Sequence, residues 1–154
     1  MVTNSARALK KASPSPSPKV PKVLLVDGDA DTAEMYAVGL RMEGFAAAVA
    51  NEPAMALEQL KRGFPDAVVV DVTDATREDW QILRWCKDGA GGCGRVLPVI
   101  LLTGHPRTAI PGSTTELEGA ALLLKPCLPE TLAHVIRALL AGEDSPQGLD
   151  RFST

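Results

Sequence analysis

The segment VLLVDGDADTAEMY, residues 23–36, carries the pattern that decides the fold. Its first four residues are apolar, and a short, wholly apolar run is typical of a strand buried on both faces of a sheet. Residues 31–43 then read as a helix, which Gly44 ends. The segment therefore predicts a β-strand followed by a helix, which is the repeating unit of a parallel sheet.

The same alternation of apolar runs and helical segments continues along the chain. Four more strands are predicted, at 45–49, 67–70, 96–102 and 120–124. Helices are predicted from a cap at Asn51 to Gly63, at 77–88 and from Pro129 onward. Residues 107–118 are ambiguous, because Pro111 and Gly112 interrupt any helix there. Five buried parallel strands with intervening helices predict a doubly wound α/β sandwich with right-handed crossovers.

One folded domain is expected, over residues 22–141. The 154 residues are 45% hydrophobic and 23% charged, which is the balance of an ordinary soluble domain. We expect residues 1–21 to form a disordered, basic, Ser/Pro-rich tail and residues 142–154 to form a flexible C-terminal tail. The sequence has no apolar run long enough for a membrane-spanning helix, and no apolar stretch after the basic start that would make a secretory signal.

The charge and the cysteines argue against several kinds of function. Five of the 16 basic residues, but none of the 19 acidic residues, lie within 1–22, so the rest of the chain has a net charge of about −8. An acidic body does not favour binding to nucleic acid. Cys86, Cys93 and Cys127 are sparse and odd in number, so we expect reduced thiols and a cytoplasmic protein rather than a disulfide framework.

Polar residues stand where four of the five predicted strands end: Asp27, Asp71, Thr103 and Lys125. Because the carboxyl ends of parallel strands meet at one edge of the sheet, we expect these side chains to lie together. Clustered carboxylates favour a cation, and their oxygens suit Mg²⁺. An aspartate beside that metal can attack phosphorus, while a hydroxyl and an ammonium hold the transferred oxygens. Asp29 and Asp31 follow the first strand and have an equally plausible ordinary role as helix caps.

At this point the sequence resembles a known family, the receiver domain of two-component response regulators, over about 22–141. The matching stretches, in the family's order and spacing, are VLLVDGDADTAEMY (23–36), PDAVVVD (65–71), LPVILLTGHP (97–106) and LLLKP (122–126). The resemblance implies a flavodoxin-like fold, in which a five-stranded parallel sheet has the order 2-1-3-4-5.

The resemblance also implies a role for each residue at the strand ends. Asp71 would be the phosphoacceptor, Thr103 the switch hydroxyl and Lys125 the phosphoryl-binding lysine, with a cis Lys125–Pro126 bond. Asp27, Asp71 and the backbone carbonyl of Thr73 would hold Mg²⁺.

The sequence departs from the family pattern at several of these positions. The family has a second acid directly after the first, where this chain has Gly28, so we expect Mg²⁺ to bind weakly, with Asp29 as the candidate substitute ligand. Ala75 and Asp79 stand where the family carries a proline and a glycine, and Leu122 replaces its aromatic switch residue.

Three functions remain open at this level. The favoured one is a stand-alone, non-enzymatic response regulator that receives a phosphoryl group on Asp71 from a histidine kinase or a phosphotransfer protein. It would signal by contact with an unknown downstream protein. The alternative is a degenerate receiver that binds proteins without phosphorylation. The third is a small Mg²⁺-dependent phosphatase with Asp27 as nucleophile. The Asp27-Gly28-Asp29 pattern suggests it, because this pattern resembles the first motif of haloacid-dehalogenase-type phosphatases, but it is less favoured than the other two.

Overall fold

The computed structural model describes residues 19–63, 65–73, 77–88, 96–104 and 120–142. Within these ranges the strands are β1 (Lys22–Val26), β2 (Ala46–Ala50), β3 (Ala67–Asp71), β4 (Val99–Thr103) and β5 (Ala121–Leu124). The helices are α1 (Ala30–Met42), α2 (Pro53–Arg62), α3 (Arg77–Lys87) and α4 (Pro129–Leu140). The expectations for residues 1–18, 107–118 and 143–154, and for Cys93, lie outside the described residues. None of the described helices is long and apolar enough to cross a membrane.

The strands form one parallel sheet in the order β2-β1-β3-β4-β5, which confirms the predicted doubly wound architecture. Alternate residues of the strands enter two separate apolar clusters, one on each face of the sheet. Leu24 and Val26 pack with residues of α2 and α3, whereas Val23 and Leu25 pack with residues of α1 and α4. This two-sided burial explains why the central strands are apolar along nearly their whole length.

The edge strand β2 is weakly apolar, and two side chains cover its outer carbonyls. Arg41 Nη2 donates to the carbonyl of Ala47 at 2.9 Å, and Gln59 Nε2 donates to the carbonyl of Val49 at 3.3 Å. An edge strand with unpaired backbone groups is open to pairing with another chain. Arg41 and Gln59 therefore protect this edge.

Two of the predicted boundaries are wrong. Asn51 does not cap α2, since the capping position is Glu52 and no side chain makes a capping hydrogen bond there. Asn51 instead donates to the carbonyl of Asp27 at 3.0 Å and so holds the end of β1. Strand β4 begins at Val99 rather than at residue 96, because Pro98 has no N–H to donate to the neighbouring strand. Pro98 contributes only its carbonyl, which accepts the N–H of Val68.

Helices α1 and α4 approach each other closely at Gly39. A Cβ built on Gly39 would lie 2.7 Å from Cγ of Pro129 and closer still to its Cβ. Pro129 opens α4 only a few residues after Lys125, so this contact fixes the start of that helix and the chain that leads into it. A glycine inside a helix normally lowers stability, and here the close approach of the two helices requires it.

We expect Gly39→Ala to destabilise the protein, although the same change usually stabilises a helix. Better helix propensity contributes about 1 kcal/mol, whereas overpacking costs about 1–3 kcal/mol, so the free energy of unfolding should fall by about 1 kcal/mol. Urea unfolding followed by circular dichroism measures this. Val38→Ala, at the half-exposed neighbouring position, is the control and should change stability by no more than about 0.5 kcal/mol. A more stable Gly39→Ala would refute the contact.

Candidate functional site

The carboxyl ends of the strands border a pocket of about 500 Å³. The residues that line it are Val26, Asp27, Gly28, Asp29, Thr32, Asn51, Pro53, Asp71, Thr73, Asp79, Gly104 and Lys125. Five of the residues singled out from the sequence as site residues are therefore brought together here. Thr103 is fully buried at the end of β4 and is not among the lining residues, although its neighbour Gly104 is.

The carboxylate of Asp71 is held from two sides at the end of β3. Its Oδ1 accepts the N–H of Thr73 at 2.8 Å, and its Oδ2 accepts a hydrogen bond from Nζ of Lys125. Burial raises the pKa of Asp71, but the bonds from Lys125 and Thr73 outweigh it and hold the pKa below its ordinary value. Asp71 is therefore ionised at neutral pH and keeps the electron pairs that a nucleophile needs.

Asp27 lies one strand away, at the end of β1, and its side chain is only 9% exposed. Its Oδ1 accepts the N–H of Asp29 at 2.9 Å, whereas its buried Oδ2 has no hydrogen-bond partner and lies 3.9 Å from Nζ of Lys125. Burial and the nearby charge of Asp71 raise the pKa of Asp27. A buried carboxylate oxygen without a partner is a position that a cation would satisfy.

The residues present fit a magnesium ion held by few direct ligands. Among the described residues, no group of three acidic, histidine or cysteine side chains is close enough to hold a metal. Mg²⁺ commonly keeps several waters and binds through one or two carboxylates, and the carboxylates of Asp27 and Asp71 both line this pocket. That these two acids and the Thr73 carbonyl bind Mg²⁺ stays a prediction. The orphaned Oδ2 of Asp27 is the observation that favours this fit.

Asp29 caps the start of α1. Its Oδ1 accepts the N–H groups of Asp31 and Thr32, both at 3.1 Å, which makes it the N-cap of the helix. Of the two roles left open for Asp29, the structure shows the capping role. The suggestion that Asp29 also replaces the acid missing at residue 28 stays a prediction.

Gly28 is not required by the backbone. Its φ lies outside the left-handed region, and an added Cβ would meet only the carbonyl oxygen of Asn51, at an ordinary 3.9 Å. A side chain at this position would therefore be accommodated without strain. The absence of a carboxylate at residue 28 is thus a property of the sequence and not a constraint of the fold.

The loop that carries Lys125 is tied to two parts of the molecule. The Lys125–Pro126 bond is cis, as the resemblance implies, and the N–H of Lys125 donates to the carbonyl of Thr103 at 2.7 Å. From α1, the hydroxyl of buried Tyr36 donates to the carbonyl of Cys127 at 3.1 Å. Sequence reasoning missed this role of Tyr36, because a tyrosine on the apolar side of a helix indicates only packing.

Comparisons with known proteins agree with this geometry. No family model matches the chain. The chain is 29% identical over 123 residues to the DNA-binding response regulator MtrA of Mycobacterium tuberculosis. It is 31% identical over 121 residues to the response regulator MprA of Mycobacterium leprae. These alignments cover 80% and 77% of this chain but 52% and 50% of the relatives, so the chain spans about half the length of the curated relatives it matches.

A solved structure of the same fold is a CheY-like response regulator receiver domain protein from Methanospirillum hungatei. The TM-score is 0.66 at 21% identity, and the match covers 80% of this chain and 96% of that one. The strand order, the acidic pocket at the strand ends and the sequence relatives point the same way. The chain therefore contains a receiver domain of the kind found in response regulators.

Proposed function

We propose that Asp71 accepts a phosphoryl group from a histidine kinase or a phosphotransfer protein and that another protein reads the change by contact. The observation that carries this proposal is the ionised carboxylate of Asp71, which lines an open pocket and is bonded to Lys125. The free thiols of Cys86 and Cys127 fit a reducing, cytoplasmic setting for this exchange.

The transfer needs little from the protein besides position and charge. An oxygen of Asp71 forms a bond to phosphorus as the bond from phosphorus to the donor's nitrogen breaks, and the bonding electrons leave with the donor's imidazole. The ammonium of Lys125 then pairs with the new phosphoryl oxygens instead of with the Asp71 carboxylate. Asp27, Asp71 and the Thr73 carbonyl would hold Mg²⁺, which would neutralise the charge on those oxygens when bound.

Thr103 is suitably placed to respond to the transferred group. In the β3–β4 ladder Asp71 pairs with Leu102, so Thr103 lies one residue beyond the partner of the phosphoacceptor. Because Thr103 is buried at the end of β4, a change in its contacts would alter the packing inside the fold. We assign Thr103 the role of switch hydroxyl on this placement.

The surface of α1 supports a protein as the partner. Met35, Val38 and Met42 are exposed by 46–84% and recur at the spacing of one helix face. An exposed apolar stripe of this kind is typical of a protein contact. This stripe adjoins Gly39, where α1 contacts α4. It lies on the same helix as Tyr36, which holds the loop after Lys125.

A receiver that binds proteins without phosphorylation is the second candidate. Gly28 removes an acid from the metal site, and Leu122, which replaces the family's aromatic residue, is buried in the apolar core and only 5% exposed. The phosphatase hypothesis is weaker, because the Oδ2 of Asp27 is buried, which hinders its attack on phosphorus.

We expect acetyl phosphate with Mg²⁺ to add one phosphoryl group, on Asp71. The carboxylate of Asp71 bonds to Lys125 and its pKa is held below its ordinary value, so Asp71→Asn should abolish the added mass. Intact-mass spectrometry with and without Mg²⁺ measures it. Asp88→Asn, at an exposed position outside the pocket, is the control that should retain labelling. If Asp71→Asn is still labelled while Asp27→Asn is not, the nucleophile is Asp27. Absence of labelling in the native protein would support the second candidate.

We expect Lys125→Met to tighten Mg²⁺ binding. Lys125 contributes the single positive charge among the described residues that line the pocket, and it repels a second cation. Removing it should lower the Kd for Mg²⁺ by at least about threefold at low ionic strength. Isothermal titration calorimetry measures the Kd, and Lys61→Met, on the exposed end of α2, is the control for net charge. Weaker Mg²⁺ binding in Lys125→Met would contradict the placement of the cation.

We expect Gly28→Asp to tighten Mg²⁺ binding about ten- to a hundredfold, since a charged contact contributes about 1.5–3 kcal/mol. The added side chain meets no steric obstacle, so the loop should keep its conformation. Calorimetric titration of Mg²⁺ is again the measurement. Gly63→Asp adds the same charge at a glycine with open space around it, away from the pocket, and should leave the Kd unchanged. Equal affinities for the native protein and Gly28→Asp would place the cation away from residue 28.

A further inference from the structure

Tyr36 is the single tyrosine of the chain, and it is buried in α1 with only 3% of its surface exposed. Its ring packs in the apolar cluster that the sheet forms with α1 and α4. Its hydroxyl donates to the carbonyl of Cys127 at 3.1 Å and lies 3.5 Å from the thiol of the same residue. The polar end of Tyr36 therefore contacts the loop that follows Lys125.

The backbone around Lys125 is held on both sides. Before the proline, the N–H of Lys125 donates to the carbonyl of Thr103 at 2.7 Å. After the proline, the carbonyl of Cys127 accepts the hydroxyl of Tyr36. A lysine ammonium lies at the end of a flexible four-carbon chain, so its position depends on how firmly the backbone at its base is fixed. Of these two bonds, the one from Tyr36 comes from a side chain, so a substitution can remove it.

The hydroxyl of Tyr36 stays protonated at neutral pH and so remains a donor. Burial raises the pKa of Tyr36 well above its ordinary value, and the thiol of Cys127 and the charge of Asp71 raise it further. The contribution of Asp71 means that the hydroxyl lies within electrostatic reach of the proposed phosphoacceptor.

We infer that Tyr36 is a positioning residue for phosphoryl transfer, which keeps the ammonium of Lys125 against Asp71 by holding the carbonyl of Cys127. This role rests on the proposed function, in which the ammonium moves from the Asp71 carboxylate to the phosphoryl oxygens. Tyr36 acts through the loop rather than on the reacting atoms. A small displacement of a group that stabilises charge is enough to slow a reaction of this kind.

A buried tyrosine also has an ordinary structural role. The ring of Tyr36 fills the apolar cluster, and a buried hydroxyl needs a hydrogen-bond partner in any protein. If that were its only role, Tyr36→Phe would lower the stability but leave the bond between Lys125 and Asp71 unchanged. The two roles therefore differ in what happens to the Lys125 ammonium.

The test uses Tyr36→Phe in the full chain, because this variant keeps the ring and removes the hydroxyl. We expect the rate of labelling by acetyl phosphate with Mg²⁺, followed by intact-mass spectrometry, to fall about two- to tenfold, which is the range for one hydrogen bond. In a Lys125→Met background, the same change should alter the rate by less than about 1.5-fold, because the group that Tyr36 positions is gone. Phe45→Leu, in the same cluster but at the opposite edge of the sheet, is the control and should leave the rate within about 1.5-fold.

The NMR resonance of the Lys125 ammonium is a second readout, and it needs no phosphoryl group. This resonance is identified by its loss in Lys125→Met. We expect it to move towards the resonances of the exposed lysines in Tyr36→Phe and to stay in place in Phe45→Leu. Thermal unfolding verifies that each variant is folded at the temperature of the measurement.

An unmoved Lys125 resonance in Tyr36→Phe, or an equal loss of labelling with and without Lys125, assigns Tyr36 to packing alone and overturns the inference. If the native protein is labelled and the resonance is unmoved, the proposed function stands and only the positioning role fails. If the native protein is not labelled while Tyr36→Phe moves the resonance, the proposed function fails, but Tyr36 still positions Lys125.

Discussion

Two aspartates at the carboxyl edge of the sheet lie close to one lysine, and the rest of the site depends on how unequally that lysine contacts them. Lys125 bonds to Asp71 and reaches Asp27 only at 3.9 Å. Burial raises the pKa of Asp27 above its ordinary value, whereas the bonds from Lys125 and Thr73 outweigh partial burial and lower the pKa of Asp71. This asymmetry fits the two proposed roles, with Asp71 as the phosphoacceptor and Asp27 as a ligand of the cation.

The fold produces this pair by placing β1 and β3 side by side in the middle of the sheet. Their apolar residues fill both faces of the sheet, and the aspartates at their carboxyl ends line the pocket. Lys125 comes from β5, at the far edge, and reaches them from a loop that Tyr36 holds. The close contact of Gly39 with Pro129 fixes the same loop from α1. The position of one charged atom thus depends on helix packing on one face of the sheet.

The sequence predicts the sheet and the strand-end residues because these follow from local patterns. Apolar runs identify the strands, and parallel strands necessarily bring Asp27, Asp71 and Lys125 to one edge. The bond from Asn51 to Asp27 and the bond from Tyr36 to Cys127 were not predictable. They join residues 24 and 91 positions apart, and their side chains carry no local signal of the partner. The start of β4 was misplaced because Val96 and Leu97 continue an apolar run that is not part of the ladder.

Gly28 changes the balance between the metal-free and the phosphorylated receiver. An aspartate there would add a third acid beside one lysine, which would raise the repulsion in the metal-free pocket and strengthen its hold on a cation. With glycine, we expect less repulsion in the metal-free pocket and a lower affinity for a cation. A phosphoryl group on Asp71 brings its own negative oxygens to the pocket. By linkage, the factor by which phosphorylation increases the affinity for the cation equals the factor by which the bound cation favours the phosphorylated state. We therefore expect phosphorylation of Asp71 to increase the affinity for Mg²⁺ by a larger factor in this chain than in a receiver with two adjacent acids.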